Sequence, residues 1–192
     1  MVFKTLGREK HDEQVLRIIQ SDPEQMLGLV FSTSPYLRNK EDEDDFNFFS
    51  NMSNLHGKKI NVLHLACQEG LAQTVSFILE TPEFADQVHF QTAAGWTPLM
   101  TACEAGHTDV IDLLLDLVSD KERMKLLEYT CESGSPLHAA VTSGASKSLE
   151  TTRHLLDKIE SVAIDEGEPD YCETLINTKD KSGIHPLFLA VF

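Results

Sequence analysis

The stretch Gly95-Trp96-Thr97-Pro98-Leu99-Met100-Thr101-Ala102-Cys103-Glu104-Ala105-Gly106-His107-Thr108-Asp109-Val110-Ile111-Asp112-Leu113-Leu114-Leu115 decides the fold. Thr97 reads as an N-cap and Pro98 as a first helical residue, where proline loses no needed amide and has its φ preset. Leu99, Ala102 and Cys103 follow at i, i+3 and i+4, one apolar face of a short helix. Gly106 ends that helix, in the left-handed conformation glycine adopts without strain. Asp109 then places an acid in the first turn of a second helix, where the helix dipole favours it. Val110, Ile111, Leu113, Leu114 and Leu115 make this second helix apolar on most sides. The unit is thus a helical hairpin too apolar to stand alone, and stacking against copies of itself hides its surface.

Such copies exist. Asn61-Val62-Leu63-His64-Leu65-Ala66, Ser135-Pro136-Leu137-His138-Ala139-Ala140 and His185-Pro186-Leu187-Phe188-Leu189-Ala190 align with Thr97-Pro98-Leu99-Met100-Thr101-Ala102. A glycine follows the first three hexads at a constant offset, as Gly70, Gly106 and Gly144. First positions lie 36, 38 and 50 residues apart. Internal repetition at this period marks a solenoid.

These residues resemble the ankyrin-repeat family, whose 33-residue unit carries T-P-L-H-x-A. The resemblance is strongest in the second copy and covers roughly residues 57–192. The other copies depart from it. Lys59 stands where the first would have glycine, Ser133 does so in the third, and His185 takes the threonine place of the fourth. The resemblance implies an all-α solenoid of stacked helical hairpins with long β-hairpin-like finger loops. Expected divisions are a helical cap at 1–31, an acidic and aromatic insertion at 32–56, and repeats at about 57–92, 93–130, 131–178 and 179–192. Every spacing exceeds 33, with the largest surplus around Ile164-Asp165-Glu166-Gly167-Glu168-Pro169-Asp170-Tyr171. That surplus is either neutral elongation or a binding loop.

At the front, Val15, Leu16, Ile18, Ile19, Met26, Leu27 and Leu29 alternate with charges, and Ser21-Asp22-Pro23-Glu24 interrupts them as a cap and helix start. Glu41-Asp42-Glu43-Asp44-Asp45, followed by Phe46, Phe48 and Phe49, is either a docking motif or a solvated loop whose phenylalanines fold back. At the other end, the last hexad lacks a second helix to cover Leu187, Leu189 and Phe192. A fragment of a longer protein, or a truncated product, is therefore expected.

Composition bounds the function classes. The 192 residues carry 16 basic and 31 acidic side chains, a formal net charge of −15. Residues 1–60 hold eight basic and ten acidic side chains; residues 61–192 hold eight and twenty-one. Phosphate binding rests on Lys and Arg, so nucleic acid is an unsuitable partner for the repeat region. No run approaches the roughly 18 apolar residues of a membrane span, and the first ten residues lack the apolar stretch of a secretory signal. No direct membrane contact from this segment and a cytoplasmic location are expected. Cys67, Cys103, Cys131 and Cys172 form no C-x-x-C pair, so no metal is expected and all four thiols read as reduced. Cys67 and Cys103 occupy equivalent positions and read as small core residues. There is no G-x-S-x-G, no Gly-rich phosphate loop and no H-E-x-x-H. No enzyme activity and no cofactor are expected.

The resemblance implies a protein–protein interaction module, a scaffold or adaptor binding through its concave face and fingers. It assigns Trp96 to a finger tip, and Leu65, Gln68, Glu69, Thr101, Glu104, Thr142 and Ser143 to the first-helix face. It gives His64 and His138 a structural hydrogen-bonding role between repeats. The two glutamates point to a protein partner with a basic or mixed surface. The alternative is a cytosolic N-terminal regulatory region of a larger protein, such as an ion channel, an enzyme or a secreted bacterial effector, whose activity lies beyond residue 192.

Overall fold

Each hexad opens a short helix, and the apolar run behind each of the first three hexads forms a second one. In the computed structural model of the chain, residues 62–82, 85–144 and 147–190 are described. The cap expected at 1–31 and the insertion at 32–56 lie outside them. The helices are α1 (Val62–Glu69), α2 (Ala72–Glu80), α3 (Pro98–Ala105), α4 (Thr108–Asp116), α5 (Asp120–Glu128), α6 (Pro136–Thr142), α7 (Ser148–Glu166), α8 (Tyr171–Ile176) and α9 (Pro186–Leu189), with a 3-10 turn at Ala85–His89.

Helix pairs α1/α2, α3/α4 and α6/α7 are the hairpins. Their first helices stack in the row α1, α3, α6, α9, and their second helices in the row α2, α4, α7 behind it. Local chemistry explains the boundaries of the second hairpin. The Thr97 hydroxyl accepts the Met100 amide at 3.3 Å, and Gly106 is left-handed with φ 73° and ψ 36°. Asp109 sits in the first turn of α4, where it faces the positive end of the dipole.

The core repeats with the sequence. Leu63, Leu99 and Leu137 are buried at one position, as are Ala66, Ala102 and Ala140 two shells along the same helices. Cys67 and Cys103 are buried too, and burial pushes both thiols up from their ordinary value. Val110, Ile111, Leu114 and Leu115 close the centre from α4. Each such side chain contributes roughly 1.5–3 kcal/mol on burial. In the fourth hexad Leu187 and Phe188 are exposed and Leu189 is half-buried; Phe192 lies outside the described residues.

The connecting segments consist of tight turns and short helices. Among the described residues there is no strand, and the one isolated bridge joins Cys131 to Gly134. Tight turns remain: the Thr92 carbonyl accepts the Gly95 amide and the Trp96 carbonyl the Thr92 amide, both at 2.9 Å, and the Asp180–Ile184 pair at 2.9 Å repeats the closure. Helices α5 and α8 and the 3-10 turn take up the surplus length. Leu126 and Leu127 of α5 and Tyr171 and Leu175 of α8 are buried, and a helix buries such residues while satisfying its own backbone. Arg123 ties α5 to the end of α4, its Nε donating to the Leu115 carbonyl at 2.7 Å.

Candidate partner-binding face

Polar side chains hold the repeats in register. His64 Nε2 lies 2.9 Å from the Trp96 carbonyl oxygen, and His138 Nε2 lies 3.0 Å from that of Ile184. Each imidazole reaches the residue just before the next hexad, the role implied for both. In the second copy the same position is Met100, fully buried, which has no N–H to offer. There Tyr129 bonds across the junction instead, its hydroxyl donating to the Gly95 carbonyl at 2.9 Å. Burial holds the Tyr129 phenol above its ordinary value.

A second ladder runs beneath the hairpin turns. His107 Nε2 meets the Gln68 carbonyl at 3.2 Å, and the Lys147 ammonium donates to the Ala105 carbonyl at 3.2 Å. Both groups sit at a helix C-terminus, where unpaired carbonyls attract donors. Between the second helices, Asp112 pairs with His154 at 2.8 Å and Lys158 at 2.9 Å, and Asp116 with Lys158 at 3.0 Å. Burial would raise the Asp112 carboxyl, but the bonds from Lys158 and His154 outweigh it and hold it below its ordinary value.

The first-helix row brings Gln68, Glu104 and Thr142 to equivalent positions on α1, α3 and α6, and all three are exposed. Glu69 is exposed beside Gln68, and Thr101 is half-buried one turn before Glu104. Two expected residues do not line the face. Leu65 is only 5% exposed and packs in the core, and Ser143 is buried with its hydroxyl donating to the Ala140 carbonyl at 2.9 Å. The reason is common to both: these first helices are only two turns long, so the position packed towards the neighbouring helix is close to the groove position in sequence. The threonine hydroxyls are also occupied locally, Thr101 on the Thr97 carbonyl and Thr142 on the His138 carbonyl. Trp96 is half-buried and packs against the core; its amide donates to the Thr92 hydroxyl at 3.1 Å. It anchors the turn as well as bordering the face. Sequence reasoning did not single out Lys147, whose ammonium donates to the carbonyl of the residue after Glu104.

Among the described residues no cluster of His, Cys, Asp and Glu is suited to hold a metal ion, and no helix is long and apolar enough to cross a membrane.

The stacked hairpins and their register bonds agree with a comparison against known families. The model described as ankyrin repeats (3 copies) matches residues 39–125 and 63–162, more than half of the chain. The chain belongs to the ankyrin-repeat family. Ankyrin repeats make it a protein–protein interaction module. Among curated proteins, it is 27% identical over 149 residues to a probable E3 ubiquitin-protein ligase, XBOS32, of Oryza sativa subsp. japonica, covering 70% of this chain and 28% of that protein. It is 28% identical over 71 residues to protein phosphatase 1 regulatory subunit 27 of Homo sapiens, covering 37% of this chain and 44% of that one. The chain thus spans less than half the length of either relative.

Proposed function

We propose that this ankyrin-repeat chain is a cytoplasmic scaffold or adaptor that binds a protein partner with a basic or mixed surface. The observation that carries this reading is the exposed row Gln68, Glu104 and Thr142, extended by Glu69, across three register-locked helices. A row on rigid elements presents its side chains with little ordering cost. The acidic excess of residues 61–192 attracts a cationic partner at long range and repels nucleic acid. The names of the two relatives, a ubiquitin ligase and a phosphatase regulatory subunit, favour the companion reading that the repeats direct a larger protein to its target.

Affinity capture with mass spectrometry, comparing the wild type with the Gln68→Lys/Glu104→Lys double variant, tests the face. Loss of the specifically captured partner with the fold intact supports it. A partner captured equally by both proteins removes this face from the function.

A further inference from the structure

The longest inter-repeat segment builds a surface separate from the first-helix row. Helix α7 has 19 residues against nine in α4, so its C-terminal half extends past the hairpin. The left-handed Gly167 then turns the chain, and α8 returns along α7. Tyr171 anchors α8, buried and with its hydroxyl donating to the Met124 carbonyl at 3.3 Å. Between the two helices lies an open groove of about 630 Å³ lined by Leu156, Ala163, Ile164, Pro169, Cys172 and Ile176. Ile164 is 73% exposed and Ile176 38%. Exposed apolar side chains gathered in one groove mark an interaction site more often than scattered residues do.

The segment from Ile159 to Thr178 carries charge of one sign, between the exposed cations Arg153 and Lys179. Glu160, Asp165, Glu166, Glu168, Asp170 and Glu173 are all exposed, and none forms an ion pair with a described residue. Residues 159–178 contain no Lys, Arg or His. An apolar floor flanked by Glu160 and by the acidic turn between α7 and α8 is the complement of a helix with a leucine face and lysine flanks. We propose that the α7–α8 groove docks a basic amphipathic helix of a partner protein, its aliphatic side chains on Ile164 and Ile176 and its cationic flanks on the carboxylates. This site does not depend on the first-helix face.

Fluorescence anisotropy on the full chain tests the proposal with a labelled 15-residue peptide of leucine and lysine, its leucines at i, i+3, i+4 and i+7. The expected results are saturable binding, at least tenfold weaker for a scrambled peptide of equal composition and for the Ile164→Lys and Ile176→Lys variants. Glu166→Lys/Glu173→Lys weakens binding at least fivefold and reduces its salt dependence. Glu104→Lys leaves the affinity unchanged, so failure of one surface is read separately from failure of the other. The mutated side chains are exposed, and a thermal melt verifies that each variant is folded. Equal binding of ordered and scrambled peptides, or an unaffected Ile164→Lys variant, overturns the proposal. So does a photo-crosslinker at position 164 of the peptide-free chain that captures residues 1–61 or a second copy.

Discussion

His138 and Ile184 are 46 residues apart in sequence, yet the imidazole Nε2 of one lies 3.0 Å from the carbonyl oxygen of the other. The other ring nitrogen fixes the direction of this bond. Nδ1 accepts the Ser135 amide at 3.0 Å, so it carries no proton and Nε2–H is the donor. One buried ring therefore joins the start of its own helix to the turn that opens the next repeat. His138→Ala leaves the Ser135 amide and the Ile184 carbonyl without it and opens a cavity. The expected loss is about 2–4 kcal/mol, measured by urea unfolding. Thr142→Ala, on the exposed side of the same helix, is expected to stay within about 0.5 kcal/mol. Equal effects of the two changes refute the register role.

His64 makes the corresponding bond in the first repeat and gives the fold a pH dependence. Burial depresses its pKa from the usual 6.5 to about 4, although the Trp96 carbonyl acts in the opposite direction. Above pH 6.5 the ring is neutral in both folded and unfolded chains, and its contribution is fully present. As pH falls below 6.5 the unfolded chain takes up a proton that the folded one refuses, so stability falls until about pH 4. The expected difference between pH 7.5 and pH 5 is about 2 kcal/mol. Urea unfolding of wild type and His64→Gln at the two pH values isolates this term; an equal pH response in both proteins excludes His64 as its source.

Trp96 and Glu104 allow folding to be separated from recognition on the proposed face. The indole is half-buried against the core, and the neighbouring Gly95 carbonyl receives Tyr129. Trp96→Ala is therefore expected to cost about 1–3 kcal/mol, and any loss of binding in that variant mixes two causes. Glu104 is exposed, and Glu104→Lys is expected to change stability by no more than about 0.5 kcal/mol. Thermal melts of the two variants check this before either is used to map the face.

The hairpin was legible in the sequence because its signals are local. Thr97, Pro98 and Gly106 act through caps and φ angles, and Leu99, Ala102 and Cys103 through a spacing of three and four, all within one short window. The role of His64 and His138 rested on the family pattern, since spacing alone does not reveal a partner 32 or 46 residues away. The face was harder to read. Leu65 and Ser143 were assigned to it by position along the helix, but which side of a two-turn helix remains open depends on the neighbouring helix. The connecting segments were least legible. Their length was visible, whereas the tucking of Leu126, Leu127 and Tyr171 into short helices is a tertiary effect with little local signature.

Gly106 and Gly167 offer a comparison that separates backbone strain from packing. Both are left-handed, with φ of 73° and 71°. A Cβ added at Gly106 falls 2.6 Å from Lys147 Cδ and 2.9 Å from its Cβ, whereas one at Gly167 meets nothing within 4 Å. Gly167→Ala therefore carries only the left-handed penalty, about 1–2 kcal/mol. Gly106→Ala carries that penalty and also displaces Lys147, whose ammonium caps the Ala105 carbonyl. Its expected cost exceeds that of Gly167→Ala by about 1 kcal/mol or more. In a Lys147→Ala background the crowding at Cδ disappears, and the gap between the two glycine variants narrows. Urea unfolding of the four variants closes the cycle. A Gly106→Ala cost equal to that of Gly167→Ala shows that the glycine serves its own φ angle alone, with no part in seating the next repeat.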